Sequence, residues 1–412
     1  VSVRVLVAGA SIAGPAAAHW LSRRGAEVTV VERAPALRPG GQAVDARGVT
    51  REVIRRMGLD EAVRAARTET AGAHTVDADG TVLETFRADD HEGDGYIAEI
   101  EILRGDLAQV LVDDTRDGVE YVFGDRITEL TQDADGVDVT FAGGGRRRFD
   151  LVIGADGLHS GLRGLVFGPH DRFVRHLGLV LAFYSVPNEF GLDRWVLEYQ
   201  DQGSGRCAML RPIQDATRAM AMFSFPAADF DVDHRDVPAQ QRLLRERTAD
   251  LGWWSPRLLA HLDDTPDFYL DQVAQVVMDR WSSGRVGLLG DAACSASPMS
   301  GQGTGVALVG AYLLAGELAA AGWDPEVGFA AYEERMRPFV EANQEIGRMH
   351  VASLGVPGPD GGPGTGADAG GEPAPEPDVE ALTALVDRAI NGVELPDYPG
   401  VPDSRAPARS PG

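Results

Sequence analysis

The sequence predicts an α/β fold: a discontinuous nucleotide-binding domain, interrupted by a second domain built on a mostly antiparallel β-sheet, with a helix near the C-terminus. Three observations predict it. Apolar strands that end in small-residue turns recur at the start, middle and late part of the chain, around residues 3–24, 151–157 and 286–305. Alternating apolar strands of a different character fill residues 179–225. The 412 residues exceed one ordinary core, so two domains sharing an interface are expected.

Residues 3–7 are apolar and β-branched and run into Gly9. Residues 12–24 have helical spacing, with Ala16, Ala17, Trp20 and Leu21 on one face, and residues 27–31 form a second strand. This is a βαβ opening with parallel pairing. Pro39-Gly40-Gly41 breaks the chain, and residues 50–57 read as a helix closed near Gly58. Residues 73–87 and 119–141 read as short strands with turns at Asp79-Gly80 and Asp135-Gly136, separated by a helix over 104–113. Residues 151–153 run as a buried strand into Gly154. The stretches 181–186, 195–199, 207–210 and 219–225 alternate as antiparallel strands should, and 243–262 reads as one helix. Residues 286–289 return to buried-strand character and end at Gly290-Asp291, ahead of helices over 303–321 and 327–349. The first of these is the most apolar long stretch and reads as a buried core helix rather than a membrane span. Residues 351–377, rich in Gly, Pro, Ala and Asp, read as a flexible linker, followed by a short amphipathic helix over 379–390 and a loose tail. The resulting division assigns 1–70, 100–170 and 276–350 to the nucleotide-binding domain, 71–99 and 171–275 to the sheet domain, and 378–412 to the terminal helix and tail.

Composition excludes several functions. The net charge of −25 repels nucleic acid and anionic membranes, so neither is an expected partner. Arg146-Arg147-Arg148 follows a Gly-rich turn and reads as a solvated hairpin edge rather than a phosphate track. The chain has no lysine, which rules out a P-loop lysine, a Schiff-base lysine and a lysine-attached cofactor. Two distant cysteines, Cys207 and Cys294, argue against a disulfide framework and for a reducing, cytoplasmic setting.

The chemistry lies in three constellations. Gly9-Ala10-Ser11-Ile12-Ala13-Gly14 links strand to helix. Gly9 suits the tight turn, Gly14 the close helix–strand approach, and the helix N-terminus a pyrophosphate. Ser11 replaces the usual middle glycine, and its hydroxyl offers a donor to phosphate. Glu32 ends the second strand, where an acid binds ribose hydroxyls. The second constellation is Gly154-Ala-Asp156-Gly157, followed by Ser160 and Arg163. The third is Gly290-Asp291, Pro298 and then Gly301-Gln-Gly303-Thr304-Gly305 opening a helix. That helix N-terminus would stabilise negative charge on a reduced flavin.

Taken in this order, the three motifs resemble those of the class A flavoprotein monooxygenases, the para-hydroxybenzoate hydroxylase-like superfamily, over about residues 1–350. The run Ser297-Pro-Met-Ser-Gly-Gln-Gly-Thr-Gly-Val-Ala and the near-terminal Leu395-Pro-Asp-Tyr398 look like the bacterial subgroup that includes tetracycline-inactivating hydroxylases. The resemblance implies a Rossmann-like domain that holds FAD. Gly9, Ser11, Ile12, Ala13 and Gly14 would cradle the pyrophosphate, Glu32 the ribose and Arg33 the adenine. Arg104 would lie near the flavin and its pyrophosphate arm, and Ile127 beside the adenine. Gln42 to Arg47 would pass along the flavin, with Arg47 as a flavin or substrate contact or else a solvated loop arginine. Asp156 and Gly157 match the motif linked to both FAD and the nicotinamide. Asp291 would bind the ribityl chain, and Pro298, Gly301, Gly303, Thr304 and Gly305 would border the isoalloxazine ring. Many relatives carry histidine where this chain has Cys294, which reads as a small buried residue.

The resemblance further implies that NADPH or NADH reduces the flavin, and that dioxygen then adds as a C4a-hydroperoxide that oxygenates an aromatic or enolic small molecule. No separate nicotinamide domain, metal site or catalytic acid–base pair is visible in the sequence. Phe183, Trp195, Phe223 and Phe225 lie on strands of the middle sheet and are candidates to wall the substrate pocket. His159, His170 and His176 match no compact metal spacing and read as loop histidines; Trp253-Trp254 reads as core. A monomer or weak homodimer is expected. An FAD-dependent oxidase or dehydrogenase, and a non-enzymatic ligand-binding protein, remain alternatives on the same fold. Because all three motifs precede it, the segment beyond about residue 354 is expected to be dispensable for FAD binding.

Overall fold

The computed structural model describes residues 2–38, 40–88, 97–227, 230, 232–233, 235–356 and 379–398. Most of the expected linker and the last residues of the tail lie outside these. In chain order the elements are β1 (Arg4–Ala8), α1 (Ala13–Arg23), β2 (Glu27–Glu32), β3 (Ala43–Ala46), α2 (Val49–Met57), α3 (Asp60–Ala65), β4 (Gly72–Val76), β5 (Val82–Arg87), β6 (Ile100–Leu103), α4 (Arg104–Thr115), β7 (Glu120–Phe123), β8 (Ile127–Gln132), β9 (Val137–Phe141), β10 (Arg146–Phe149) and β11 (Leu151–Gly154). There follow α5 (Gly161–Val166), β12 (Val174–Pro187), β13 (Trp195–Asp201), β14 (Arg206–Pro212), β15 (Arg218–Pro226), α6 (Val237–Thr248), α7 (Ser255–Ala260), β16 (Tyr269–Val276), β17 (Ser282–Ser283), β18 (Val286–Leu288), α8 (Asp291–Cys294), α9 (Gly303–Ala320), α10 (Pro325–Ser353) and α11 (Val379–Asn391).

Strands from three distant stretches assemble one six-stranded sheet in the order β17-β18-β11-β1-β2-β7. β1 lies parallel to both β2 and β11, with Ala8 opposite Val31 and Gly154. β18 runs parallel to β11 on its other side, so all three motif-bearing turns emerge from the same sheet edge. Residues Val5, Leu6 and Val7 are fully buried between helical layers, as expected of parallel strands covered on both faces. α9 is long and apolar enough to cross a membrane but is itself mostly buried, packed among α1, α2 and α10. The arginine run forms β10, a hairpin partner of β9, with Arg147 paired to Glu120 and Arg148 to Asp133 and Asp138.

The second sheet has seven strands, β16-β12-β15-β14-β13-β4-β5. It is antiparallel except where β13 meets β4, with Trp195 opposite Gly72. Residues 243–262 are two helices rather than one. The break falls after α6, where Trp253 takes a left-handed φ of 58° and Pro256 lies in the first turn of α7. The bend lets Trp253 and Trp254 stack 4.9 Å apart and pack on Tyr199 and Phe190.

His19 on α1 is 1 % exposed and hydrogen-bonds Asp114 through Nδ1 at 2.6 Å. Burial lowers its proton affinity more than Asp114 raises it, so folding favours the neutral ring. A depressed histidine contributes stability that is present above its ordinary pKa near 6.5 and is lost as pH falls below it. The thermal midpoint is expected to fall from pH 7 towards pH 5, and His19→Gln should flatten that slope. Identical slopes in the two proteins would remove His19 from the acid transition.

Candidate functional site

The first turn is shaped by backbone contact. Gly9 has a φ of 106°, and a β-carbon there would lie 2.4 Å from the Ala155 carbonyl oxygen, in the turn that carries the second motif. A β-carbon on Gly14 would lie 1.8 Å from the Gly9 carbonyl oxygen. α1 therefore starts directly on the end of β1. Its first turn has neither a side-chain cap nor an acidic residue, which leaves amide N–H groups facing the cleft. Glu32 is fixed from both sides: one carboxylate oxygen accepts from Ala10 N at 2.9 Å and the other from Ala34 N at 2.8 Å.

Ser11 and Arg104, far apart in sequence, meet here. Arg104 donates to the Ser11 hydroxyl at 2.9 Å. Its own amide donates to the Gln42 carbonyl, which ties α4 to the segment leading into β3. Burial, reinforced by Arg38, lowers Arg104 from the ordinary arginine range, so an anion at this point would relieve an under-compensated cation. Beyond Glu32 a cleft of ≈ 660 Å³ opens between Arg33, Leu37, Arg38, Asp125 and Arg126, with Ile127 starting β8 at its edge.

The second motif is bolted to the third. Asp156 accepts from the Ser160 hydroxyl and from Leu162 N at 3.1 Å, anchoring the start of α5. Arg163, 1 % exposed, donates to the carbonyls of Leu158 at 2.6 Å and Ala292 at 2.9 Å. Burial raises the Asp156 carboxyl. The structure thus gives Asp156 protein partners, while Gly157 beside it faces open space. In the third motif Asp291, Pro298 and Gly301 are exposed, and a β-carbon on Gly301 or Gly303 would meet nothing within 4 Å. Gln302 between them is 4 % exposed, with a buried Oε1 that has no partner. Thr304 is buried at the start of α9. Gly305 is turned elsewhere: its β-carbon would lie 2.7 Å from the Thr50 hydroxyl, so it serves the α9–α2 contact. Cys294 is buried and its thiol is pushed up by burial.

These features fit FAD. Uncapped amides and the Arg104–Ser11 pair could hold a pyrophosphate and Glu32 a ribose, and an open cradle lined by Asp291, Pro298, Gly301 and Gly303 could take the ring system. Arg104→Ala removes a partly buried, charge-assisted hydrogen bond worth about 1.5–3 kcal/mol. It is expected to weaken FAD binding about 10- to 100-fold in a fluorescence titration of the apoprotein. Wild-type affinity would show that the pyrophosphate lies elsewhere.

Arg47 is not a solvated loop residue. It is 8 % exposed and holds Asp45 through Nε at 3.2 Å and a terminal nitrogen at 2.8 Å. Asp45 lies opposite Glu101 in the β3–β6 ribbon, and Glu101 is paired to Arg211 of β14 and accepts from Thr70 at 2.8 Å. Burial raises the Asp45 carboxyl; Glu101, which burial alone would raise, is held low by Arg211, Thr68 and Thr70. This charge ladder couples the β3–β6 ribbon to the second sheet. Sequence reasoning missed it because its members come from four separate segments, around residues 45–47, 68–70, 101 and 211.

The pocket wall also differs from expectation. Tyr269, Phe183, Met222 and Met209 are successive cross-strand neighbours, and Glu198 follows them in the same row. Phe183 belongs to one apolar cluster with Met220, Met222, Met299 and Ala43, the last two from segments next to the candidate cradle. Phe223 and Phe225 point the other way. They are 0 % and 1 % exposed in the core beneath α6 and α7, because each is one residue out of phase with Met222 or Ser224. Trp195 shares that opposite phase and stacks on His74 at 4.2 Å. Of the four aromatic candidates only Phe183 lies on the face that packs with Met299 and Ala43, and methionines supply much of the rest of that face.

Comparison with known proteins gives one consistent result. The family model described as "FAD binding domain" matches residues 2–346. An uncharacterized protein of Mycobacterium tuberculosis is 44% identical over 96% of this chain and 99% of its own length. A flavin-dependent monooxygenase from an unknown prokaryotic organism is 38% identical over 96% of this chain and 99% of its own. The crystal structure of tetracycline destructase Tet(51) superposes with a TM-score of 0.82 at 35% identity, covering 97% of this chain and 99% of that one.

Proposed function

The chain belongs to the FAD-binding-domain family of class A flavin-dependent monooxygenases, and from that premise we propose that it uses NADPH or NADH and dioxygen to hydroxylate a planar aromatic or enolic small molecule. One observation carries the choice of substrate: the apolar face made by Phe183, Met220 and Met222 packs with Ala43 and Met299, from the two segments that flank the cofactor cradle. Such a wall excludes water and accepts a flat ring system, with methionines adapting to its outline. The tetracycline destructase relative makes a polycyclic phenolic or enolic compound the first class to test.

FAD, when bound, supplies electron transfer and oxygen activation. The protein's part is placement. Asp291 and the turn from Pro298 would hold the ring system, and the N-terminus of α9 would favour negative charge near it. The apolar wall keeps substrate against it and solvent out.

The test is incubation with oxygen-18 gas, NAD(P)H and a panel of phenolic and tetracycline-type compounds. One labelled oxygen atom in the product is expected; stoichiometric peroxide with unlabelled product would identify an oxidase instead. Gly301→Val and Gly303→Val should then lower the ratio of hydroxylated product to NAD(P)H consumed, because their side chains enter the space that their glycines leave open. An unchanged ratio in both variants would mean that this turn does not border the flavin.

A further inference from the structure

We propose that Tyr269, Asp271 and His159 form a proton relay between the cofactor cleft and the protein surface. The chemistry it serves rests on the monooxygenase reading; the route rests on the structure. Tyr269 and Asp271 lie two residues apart on β16 and so project from the same face of the sheet. The Tyr269 hydroxyl donates to Asp271 Oδ2 at 3.1 Å, and His159 Nε2 meets the same oxygen at 2.6 Å. Asp271 Oδ1 is held by Gln272 N at 2.8 Å, which fixes the carboxylate between its two partners.

The two ends of the chain lie in different surroundings. Tyr269 is 47% exposed, stacks on Phe183 at 6.0 Å in the cofactor-facing row, and feels the charges of both Arg104 and Asp291. His159 follows the second motif in the turn before α5, where its side chain is one quarter exposed. Its ring stacks on His170 at 5.2 Å, and Arg163 donates to His170 Nδ1 at 3.1 Å. His176 of β12 lies near enough to feel the charges of Asp271 and His159. His170 is pushed down to about 4 by burial and by the nearby charges of His159, Arg163 and His176, so it is a neutral neighbour rather than a competing cation. Burial would raise Asp271, but the His159 bond and charge hold it low and ionised, while burial and Asp271 keep the Tyr269 phenol protonated. Donor, acceptor and donor therefore alternate along the chain.

Monooxygenation of this kind consumes one solvent proton for each NAD(P)H, because the second oxygen atom leaves as water. In the relay, the Tyr269 hydroxyl gives up its hydrogen bond to Asp271 and turns towards the cleft, and its O–H bond breaks as the proton passes to the oxygen that leaves as water. The phenolate oxygen recovers a proton through Asp271 from His159 Nε2, and His159 is reprotonated by solvent. Every O–H or N–H bond broken is matched by one formed, and no electrons change centres.

The experiment uses the FAD-loaded full chain and the variants Tyr269→Phe, Asp271→Asn and His159→Ala. An exchange-protected ring N–H resonance of His159 is expected in wild type and Tyr269→Phe, and should be lost in Asp271→Asn; its persistence there would overturn the relay without any turnover assay. With a substrate in hand, Tyr269→Phe should lower kcat about tenfold or more and change the solvent isotope effect, with KM, flavin content and thermal midpoint unchanged. His159→Ala should lose rate similarly and recover it on adding imidazole, which a purely structural role would not produce. Wild-type kcat, pH profile and isotope effect in Tyr269→Phe would overturn the relay and leave the monooxygenase reading standing. Absence of any labelled product from wild type would overturn that reading, with the resonance test still deciding whether the three residues are linked.

Discussion

Replacing Gly14 by valine is expected to abolish FAD retention and to lower stability by more than any other single change in the cofactor domain. The β-carbon would lie 1.8 Å from the Gly9 carbonyl oxygen and 3.4 Å from Val7 Cγ1. The first of these is backbone at the end of a fully buried strand, so no side-chain rotation relieves it. α1 would have to lift from β1, moving the amide N–H groups that define the pyrophosphate site. Overpacking of a side chain usually costs about 1–3 kcal/mol, and a clash with fixed backbone belongs at or above the top of that range. The added γ-branches also restrict χ1 within the helix. A matched control is Gly164→Ala: that glycine is exposed on α5 with nothing within 4 Å, and the change should be neutral or slightly stabilising. The measurements are the flavin-to-protein absorbance ratio after purification and the thermal midpoint. Full flavin occupancy in Gly14→Val would show that close helix–strand approach does not build the site.

The residues most readable in the sequence were those whose role is set by local backbone geometry. Gly9 and Gly14 announce a tight turn and a close approach within a span of six residues, and Glu32 follows at the end of the next strand. Pairing partners were harder to read. The β-sheet period fixes only that neighbours along a strand face opposite ways; which parity faces the cofactor depends on which layer covers the other side. The helices after β15 cover the face bearing Phe223 and Phe225, and no feature of those strands records it. Methionines went unnoticed because pattern reading favours aromatic residues as pocket walls. The Asp45–Glu101–Arg211 ladder and the Tyr269–Asp271–His159 chain join segments tens to more than a hundred residues apart. Each member alone looks like an ordinary polar residue. Arg104 stands out by family resemblance, and its bond to Ser11 gives the serine at the turn's middle position a partner: the hydroxyl is held by the cation that would face a pyrophosphate.

Removing the terminal segment after residue 378 is expected to destabilise the protein and loosen FAD, contrary to the reading of this segment as peripheral. α11 packs on α10, where Asn343 donates to the Ala389 carbonyl at 2.9 Å and Ala389 joins Ala342 and Ile346 in a small apolar cluster. Its end covers Gly48, whose β-carbon would lie 2.3 Å from Ile390 Cγ2, immediately after Arg47 and before α2. The chain then crosses α2 and α9. Arg56 donates to the carbonyls of Leu395 and Pro396 at 3.3 Å each and to the Tyr312 hydroxyl at 2.6 Å. Tyr398 fills the space above Gly316, where a β-carbon would lie 2.1 Å from its ring, and donates to Glu317 at 2.6 Å. Arg24 stands over the Tyr398 ring at 5.3 Å and over Trp20 at 5.4 Å. The strap thus presses on α2 and on the end of the segment, Gln42 to Arg47, that would run beside the flavin. Truncation uncovers Glu317, Gly48 and the apolar cluster together. Tyr398→Ala loses a half-buried ring and a hydrogen bond to a carboxylate, about 2–4 kcal/mol, while Tyr398→Phe loses the hydrogen bond alone, about 1–3 kcal/mol. Thermal midpoint and flavin retention should therefore fall in the order wild type, Tyr398→Phe, Tyr398→Ala, truncation. The truncated chain should still bind added FAD, more weakly, because every residue assigned to the cofactor site precedes the cut. A truncated chain with wild-type midpoint and flavin content would restore the segment to a peripheral role, and Gly48 and Gly316 would then need another reason for being glycine.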